Sequence, residues 1–255
     1  MKTTIKEETD VKLESPILIE GLPGLGMVGR IAVRYIVKQL NAQQLGLLYS
    51  PYFPYYVVVN KKGRVRLLRG EFHYWRNQGG SDLILFTGDS QAQTVEGQYE
   101  IAEAILDFAK KQKASAIITL GGYRKEAGES PKVVATASDE SILRKAIEAD
   151  ALPSPPGNPI VGTAGLLVGM ARFQKLPALC LLGETRGYLP DPKAAKSLLI
   201  VLQKMLGIPL SLDDIEKEIE KSDGILERMQ AIEARRETYT KKMRKGEEDK
   251  TTYIS

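Results

Sequence analysis

Pro16-Ile-Leu-Ile-Glu20 runs directly into Gly21-Leu-Pro-Gly-Leu-Gly-Met-Val-Gly29, and the stretch Arg30 to Leu40 that follows has helical character. A strand, a glycine-rich turn and a helix in that order are the opening unit of an α/β domain. The turn also satisfies G-x-G-x-x-G at Gly24, Gly26 and Gly29. In a dinucleotide-binding fold such glycines permit a tight turn, close approach of the backbone to a pyrophosphate, and close helix-strand packing. The acidic residue that should follow about 20 residues on to hold a ribose is missing. Asn41 to Tyr49 contains no carboxylate, and the next one is Glu71. Pro23 stiffens the turn further. The motif is therefore expected to serve packing, and no cofactor is expected.

The same alternation continues downstream. Strand-like apolar runs lie at Ile17–Glu20, Leu45–Tyr49, Tyr55–Val59, Val65–Leu68, Leu83–Thr87, Ala116–Leu120, Val133–Thr136 and Ala178–Leu182. Helical periodicity falls between several of them, most clearly over Val95 to Lys111, where Tyr99, Ala102, Ile105, Leu106 and Ala109 share a face. Continuous apolar strands separated by helices predict a mainly parallel sheet flanked by helices. Tyr52 to Trp75 breaks the rhythm and reads as an antiparallel insertion or edge. Pro153-Ser-Pro-Pro-Gly-Asn-Pro159 is a loop, and Ile160-Val-Gly-Thr-Ala-Gly165 after it reads as a second glycine turn opening a helix.

Composition narrows the functional classes. The 255 residues are 43% hydrophobic and 27% charged, with a formal net charge of +4, enough for one substantial core plus an appendage. Cys180 is the only cysteine and His73 the only histidine, so a Cys/His zinc site cannot be assembled in one chain. Cys180 sits in the apolar run Ala178-Leu-Cys-Leu-Leu182 and reads as a buried structural thiol; His73, in Glu71-Phe-His-Tyr-Trp75, reads as a strand histidine. No apolar run reaches the roughly 18 residues of a membrane span, and the polar start is unlike a signal peptide, so a cytoplasmic protein with no membrane partner is expected.

In an open α/β sheet, ligands collect outside the carboxyl ends of the strands. Four post-strand segments qualify: Gly21–Gly29, Gly88-Asp-Ser-Gln91, Gly121-Gly-Tyr-Arg-Lys-Glu126 and Gly183-Glu-Thr-Arg-Gly-Tyr188. They define a candidate ligand cleft with Gly24 and Gly26 at the turn, Asp89, Glu126 and Glu184 as carboxylates, and Arg124 and Arg186 as anion binders. No spacing ties these carboxylates together. An enzyme or small-molecule binder using that cleft on a phosphorylated or nucleoside-like ligand is the alternative to a protein-binding function.

The C-terminal region differs in character. Ser211 to Lys250 carries 12 acidic and 10 basic residues with no proline, which predicts a charged helix. Leu212, Ile215 and Ile219, then Ile225, Met229, Ile232, Tyr239 and Met243, form a broken apolar stripe at spacings of three and four. So narrow a stripe suits packing either back on the chain's own core or on a partner, and the polarity of the segment favours subunit or partner contact. Arg235 to Lys245 is basic, but the low net charge and the lack of a stacking platform beyond Tyr239 argue against nucleic acid. The expected organisation is an α/β core over 1–210, a helical extension over 211–245 and a tail over 246–255.

Four of these motifs, in this order, carry a resemblance: Gly21–Gly29 with its preceding strand, Gly121-Gly-Tyr123, Gly162-Thr-Ala-Gly-Leu-Leu167, and Gly183-Glu-Thr-Arg-Gly-Tyr-Leu-Pro-Asp-Pro-Lys-Ala-Ala195. Over Pro16 to Leu210 the chain resembles the proteasome-assembly-chaperone family, in particular its archaeal members. The resemblance implies a fold similar to nucleoside phosphorylases, homo-oligomerisation, and binding to proteasome α-subunits or a paralogous chaperone subunit rather than catalysis. In the last motif, Pro190 and Pro192 are suited to fix the approach to a helix, Asp191 to complement its N-terminus, and Ala194 and Ala195 to pack closely on a sheet. Family members that dock on the α-ring can end in a hydrophobic residue, a tyrosine and any residue. This chain ends Tyr253-Ile254-Ser255, so Tyr253 takes the hydrophobic place and Ile254 the tyrosine place. The displacement of one residue is about 3.3 Å in an extended tail. Expected partner-binding residues are Tyr253, Ile254 and Ser255 with Ile225, Met229, Ile232 and Tyr239.

Overall fold

In chain order the elements are β1 (Thr4–Glu7), β2 (Ile17–Glu20), a single 3-10 turn (Leu25–Met27), α1 (Val28–Gln39), β3 (Gln43–Tyr49), β4 (Val57–Val59), β5 (Val65–Leu67), β6 (Gly70–Trp75) and β7 (Leu83–Gly88). They continue with α2 (Val95–Lys111), β8 (Ala116–Arg124), β9 (Val133–Ala137), α3 (Glu140–Glu148), β10 (Leu152–Pro153), α4 (Thr163–Phe173), β11 (Ala178–Thr185) and α5 (Pro192–Leu206). The computed structural model describes residues 2–125, 130–217 and 219. The chain divides into two units, Met1–Leu212 and Asp213–Ser255. In the second, residues 213–217 are helical and Lys217 reaches Asp214 at 3.4 Å. Glu126, Ile225, Met229, Ile232, Tyr239, Met243 and Tyr253 to Ser255 lie outside the described residues.

The first unit is an α/β domain on a nine-stranded mixed sheet of order β1-β3-β6-β7-β2-β8-β11-β9-β10. Its centre, β7-β2-β8-β11, is parallel throughout. Antiparallel pairing enters on both sides, through β6 against β7 and β3, β1 against β3, and β9 against β11. The Tyr52–Trp75 segment is antiparallel as its sequence suggests: β4 and β5 form a separate hairpin, and β6 returns into the main sheet.

Alternation along the central strands assigns the two faces. Leu18, Ile84, Phe86, Ile117, Cys180 and Leu182 lie in one cluster with Ile101, Ile105 and Leu106 of α2 and Leu167 and Ala171 of α4. The intervening buried residues, among them Ile19, Ile118, Leu179 and Leu181, face the other way, towards α1 and α5. Burying both faces is what makes these strands apolar at every position.

Local chemistry fixes the helix ends. Thr94 accepts the Gly97 N–H at 3.1 Å to start α2, and Glu96 in the first turn with Lys110 and Lys111 in the last complements the helix dipole. Asp139 caps α3 in the same way. Gly162, at φ 91°, turns the chain into α4, so the second glycine turn does open a helix. Asp191 caps α5 through the Ala194 N–H at 2.9 Å with Pro192 in the first turn, and Gly207, at φ 63°, ends it.

Two strands are longer than their apolar runs indicate. β8 continues through Gly121, Gly122, Tyr123 and Arg124, and β11 through Gly183, Glu184 and Thr185, because those segments pair with each other in parallel register, Gly122 opposite Gly183 and Arg124 opposite Thr185. Arg124 and Glu184 are thus strand residues, not members of post-strand loops.

Candidate functional site

The glycines of the first motif are enclosed by the protein itself. A Cβ on Gly21 would lie 2.2 Å from the Gly29 carbonyl oxygen, and one on Gly29 would lie 2.1 Å from that of Leu120, so α1 rests backbone to backbone on β8. Gly26, at φ 59°, occupies the left-handed region that favours glycine, and a Cβ there would meet the Thr185 hydroxyl at 2.8 Å. Its carbonyl accepts the Asp191 N–H at 2.8 Å. Asp191 also accepts the Thr185 hydroxyl at 2.7 Å, so the first and last glycine motifs, some 160 residues apart, interlock around one turn. Gly24 is the exception: a Cβ there would meet only the Gln91 amide, at an ordinary 3.6 Å.

Side-chain amides lie beside that turn. Gln91 donates through Nε2 to the Pro23 carbonyl at 2.8 Å and accepts at Oε1 from the Thr163 N–H at 3.1 Å. The buried Thr163 hydroxyl donates to Gln98 Oε1 at 2.8 Å, and Gln98 Nε2 donates to the Ala92 carbonyl at 2.7 Å. The loop after β2, the start of α2 and the start of α4 are thereby tied together. Gln91, Gln98 and Thr163 carry no sequence signal for this, since they become neighbours only in the folded chain.

Two of the expected carboxylates, Asp89 and Glu184, are committed to protein partners. Asp89 accepts from Arg66 Nη1 at 2.5 Å and Nη2 at 3.0 Å, and from the Arg69 N–H at 3.1 Å. Partial burial pushes its carboxyl upward, but these donors outweigh it and hold the pKa below the usual range. Glu184, which is buried, accepts from Lys125 Nζ at 2.7 Å and the Lys132 N–H at 3.1 Å, and the same balance leaves its pKa depressed. Asp89 follows β7 and Glu184 lies in β11, three strand spacings apart, which is about 14 Å. They cannot act on one bond as an acid-base pair. Arg124 lies over the Tyr188 ring at 5.3 Å, and Arg186 is exposed. A pocket of about 370 Å³ lies at the opposite end of the sheet, among Ile17, Leu83, Ala116, Lys145 and Pro177, remote from all of these groups.

Cys180 is fully buried, and desolvation pushes its thiol up to about 12, so it is inert as a nucleophile. Glu20 is buried with one oxygen accepting the Leu22 N–H at 3.0 Å and the other unpartnered; burial raises its pKa to about 8. Among the described residues no cluster of three or more metal-ligating side chains occurs.

The PAC2 family model matches residues 18–230. The chain belongs to the PAC2 family. Similar structures include Pyrococcus furiosus PbaB, an archaeal proteasome activator, at 33% identity and a TM-score of 0.85 over 90% of this chain and 99% of that one. Pyrococcus furiosus PbaA, an archaeal homologue of proteasome-assembly chaperone, matches at 29% identity and a TM-score of 0.76 over the full length of both chains. An uncharacterized Methanocaldococcus jannaschii protein, MJ1210, is 33% identical over 235 residues, 91% of this chain and 90% of its own. The interlocked glycine motifs described above all lie within the segment that the PAC2 model matches.

Proposed function

We infer that this PAC2 protein is a non-catalytic assembly factor that associates with itself and binds proteasome α-subunits or a paralogous chaperone subunit. The observation that carries this reading is the state of the strand carboxyl ends. Gln91, Gln98 and Thr163 bond to one another and to the Pro23 carbonyl beside the glycine turn, and Asp89 and Glu184 pair with Arg66 and Lys125. Chemistry requires carboxylates or nucleophiles within reach of a shared reacting atom, and this arrangement offers packing in their place. Similarity to PbaB and PbaA supports a proteasome-related partner.

The composition of Ser211 to Ser255, charged with a narrow apolar stripe and ending in Tyr253-Ile254-Ser255, favours this extension as the partner-binding element. Co-purification with proteasome α-subunits from the same organism tests the reading. The full chain is expected to retain them, and the chain truncated after Leu210 is expected to stay soluble and lose most of the binding. A full chain that retains neither α-subunits nor a paralogous chaperone overturns it.

A further inference from the structure

The hairpin β4–β5 stands outside the nine-stranded sheet and shows solvent an apolar face. Its register sets Val57 opposite Leu67 and Val59 opposite Val65, so these four share one side. They are 46%, 53%, 61% and 66% exposed in the order Val57, Leu67, Val59, Val65, and Tyr55 and Tyr56 beside them are exposed too. The other side is fixed to the body: Val58 packs against the core, and Arg66 holds Asp89 bidentately. A two-stranded hairpin is marginal in water unless a face is covered. Here only the inner face is.

Charge identifies what covers the outer one. The tip, Asn60-Lys-Lys-Gly-Arg64, is a tight turn in which Asn60 Oδ1 accepts the Lys62 and Arg64 N–H groups at 2.9 and 3.0 Å. Lys61, Lys62 and Arg64 are exposed, and among the described residues no ion pair engages them. The same chain carries the complementary pattern on α2. Val95 and Tyr99 are exposed at its start, 70% and 52%, and Glu96, Glu103 and Asp107 continue along its exposed side. From Val95 to Glu103 the helix rises about 12 Å, and from Val57 to Val59 the strand advances about 7 Å before the turn that carries Lys61 and Lys62. On each element exposed apolar residues give way along its length to exposed charges, Val95 and Tyr99 to Glu103 and Asp107 on α2, with Glu96 beside Val95, and Val57 and Val59 to Lys61, Lys62 and Arg64 on the hairpin, and the two sets of charges are opposite in sign.

We propose that the outer face of the β4–β5 hairpin docks on the exposed side of α2 in a second copy of this chain, with Lys61, Lys62 and Arg64 against Glu96, Glu103 and Asp107. This deepens the self-association in the proposed function and rests on that part of it. The apolar centre supplies the affinity, and the charges set register and direction.

The test is the mass of the full chain in solution by sedimentation velocity at micromolar concentration. Wild type is expected to be an oligomer. Lys61→Glu/Lys62→Glu/Arg64→Glu and, separately, Glu96→Lys/Glu103→Lys/Asp107→Lys are expected to weaken assembly at least tenfold, and combining both sets in one chain is expected to restore it. Val59→Ser/Val65→Ser, with folding checked by circular dichroism, is expected to weaken assembly without restoration by the helix changes. A wild-type oligomer whose mass none of these variants alters overturns this interface and leaves self-association standing, whereas a wild-type monomer removes both. Loss of α-subunit binding with unchanged mass would assign the hairpin to a foreign partner and also overturn the proposal.

Discussion

Gly29 of α1 lies so close to Leu120 of β8 that a Cβ on the glycine would sit 2.1 Å from the Leu120 carbonyl oxygen. Neither partner can yield easily, because the obstacle is backbone in a central strand. Gly29→Ala is expected to destabilise the protein by about 3 kcal/mol, the upper end of overpacking costs. Gly24→Ala, whose new methyl meets only the Gln91 amide at 3.6 Å, is expected to change stability by under about 0.5 kcal/mol. Urea denaturation of the two variants reads the contrast. Equal losses would show that the glycine motif is not the packing device described above.

Asp191 joins three parts of the fold: it caps α5 through Ala194, accepts the Thr185 hydroxyl, and donates its backbone N–H to Gly26. Asp191→Ala should cost about 2 kcal/mol, combining a lost cap with a stranded hydroxyl. Asp191→Asn keeps an acceptor for the cap and should recover most of that loss. Thermal melts of both variants distinguish capping from charge; equal melting points for the two would contradict it.

Glu20 makes stability depend on pH in a defined direction. Its folded pKa is raised from 4.5 to about 8 by burial, so between those values the native state keeps a proton that the unfolded chain has released. Its contribution is full below about 4.5, declines as pH rises, by up to about 1.4 kcal/mol per unit, and is gone above about 8. Glu20→Gln retains an oxygen for the Leu22 N–H and has nothing to ionise. Denaturation from pH 5 to 9 should show a steeper fall for wild type than for Glu20→Gln. Parallel curves would mean that Glu20 ionises normally inside the fold.

Much of the fold was legible because the signals are local. The bounds of β2 and α2 match the apolar runs that suggested them, and the N-terminal cap of α5 follows from Pro190-Asp-Pro192. β8 and β11 outran their predicted ends for a physical reason. Gly121, Gly122 and Gly183 look like turn punctuation, yet a Cβ on Gly122 would meet the Leu25 carbonyl oxygen at 2.5 Å and one on Gly183 that of Ala194 at 2.9 Å. Those glycines are strand residues thinned for elements distant in sequence. The candidate cleft was illegible for the same reason: Asp89 and Glu184 look free until Arg66 and Lys125 arrive, 23 and 59 residues away.

The tail gives a fourth prediction. If Tyr253 is the aromatic anchor, its ring and hydroxyl supply the area and hydrogen bond typical of interface hot spots. Tyr253→Ala should then weaken partner binding at least tenfold, and Ile254→Ala less. Calorimetric titration of proteasome α-subunits into each variant measures this. A larger loss from Ile254→Ala would place the anchor one residue later.

Native mass spectrometry of the full chain, alone and mixed with proteasome α-subunits, tests the central claim most directly. Species of two or more times 28.2 kDa are expected for the protein alone, and a further species containing both proteins is expected in the mixture. A single 28.2 kDa species in both samples, with no joint species formed with a paralogous chaperone subunit either, would contradict it.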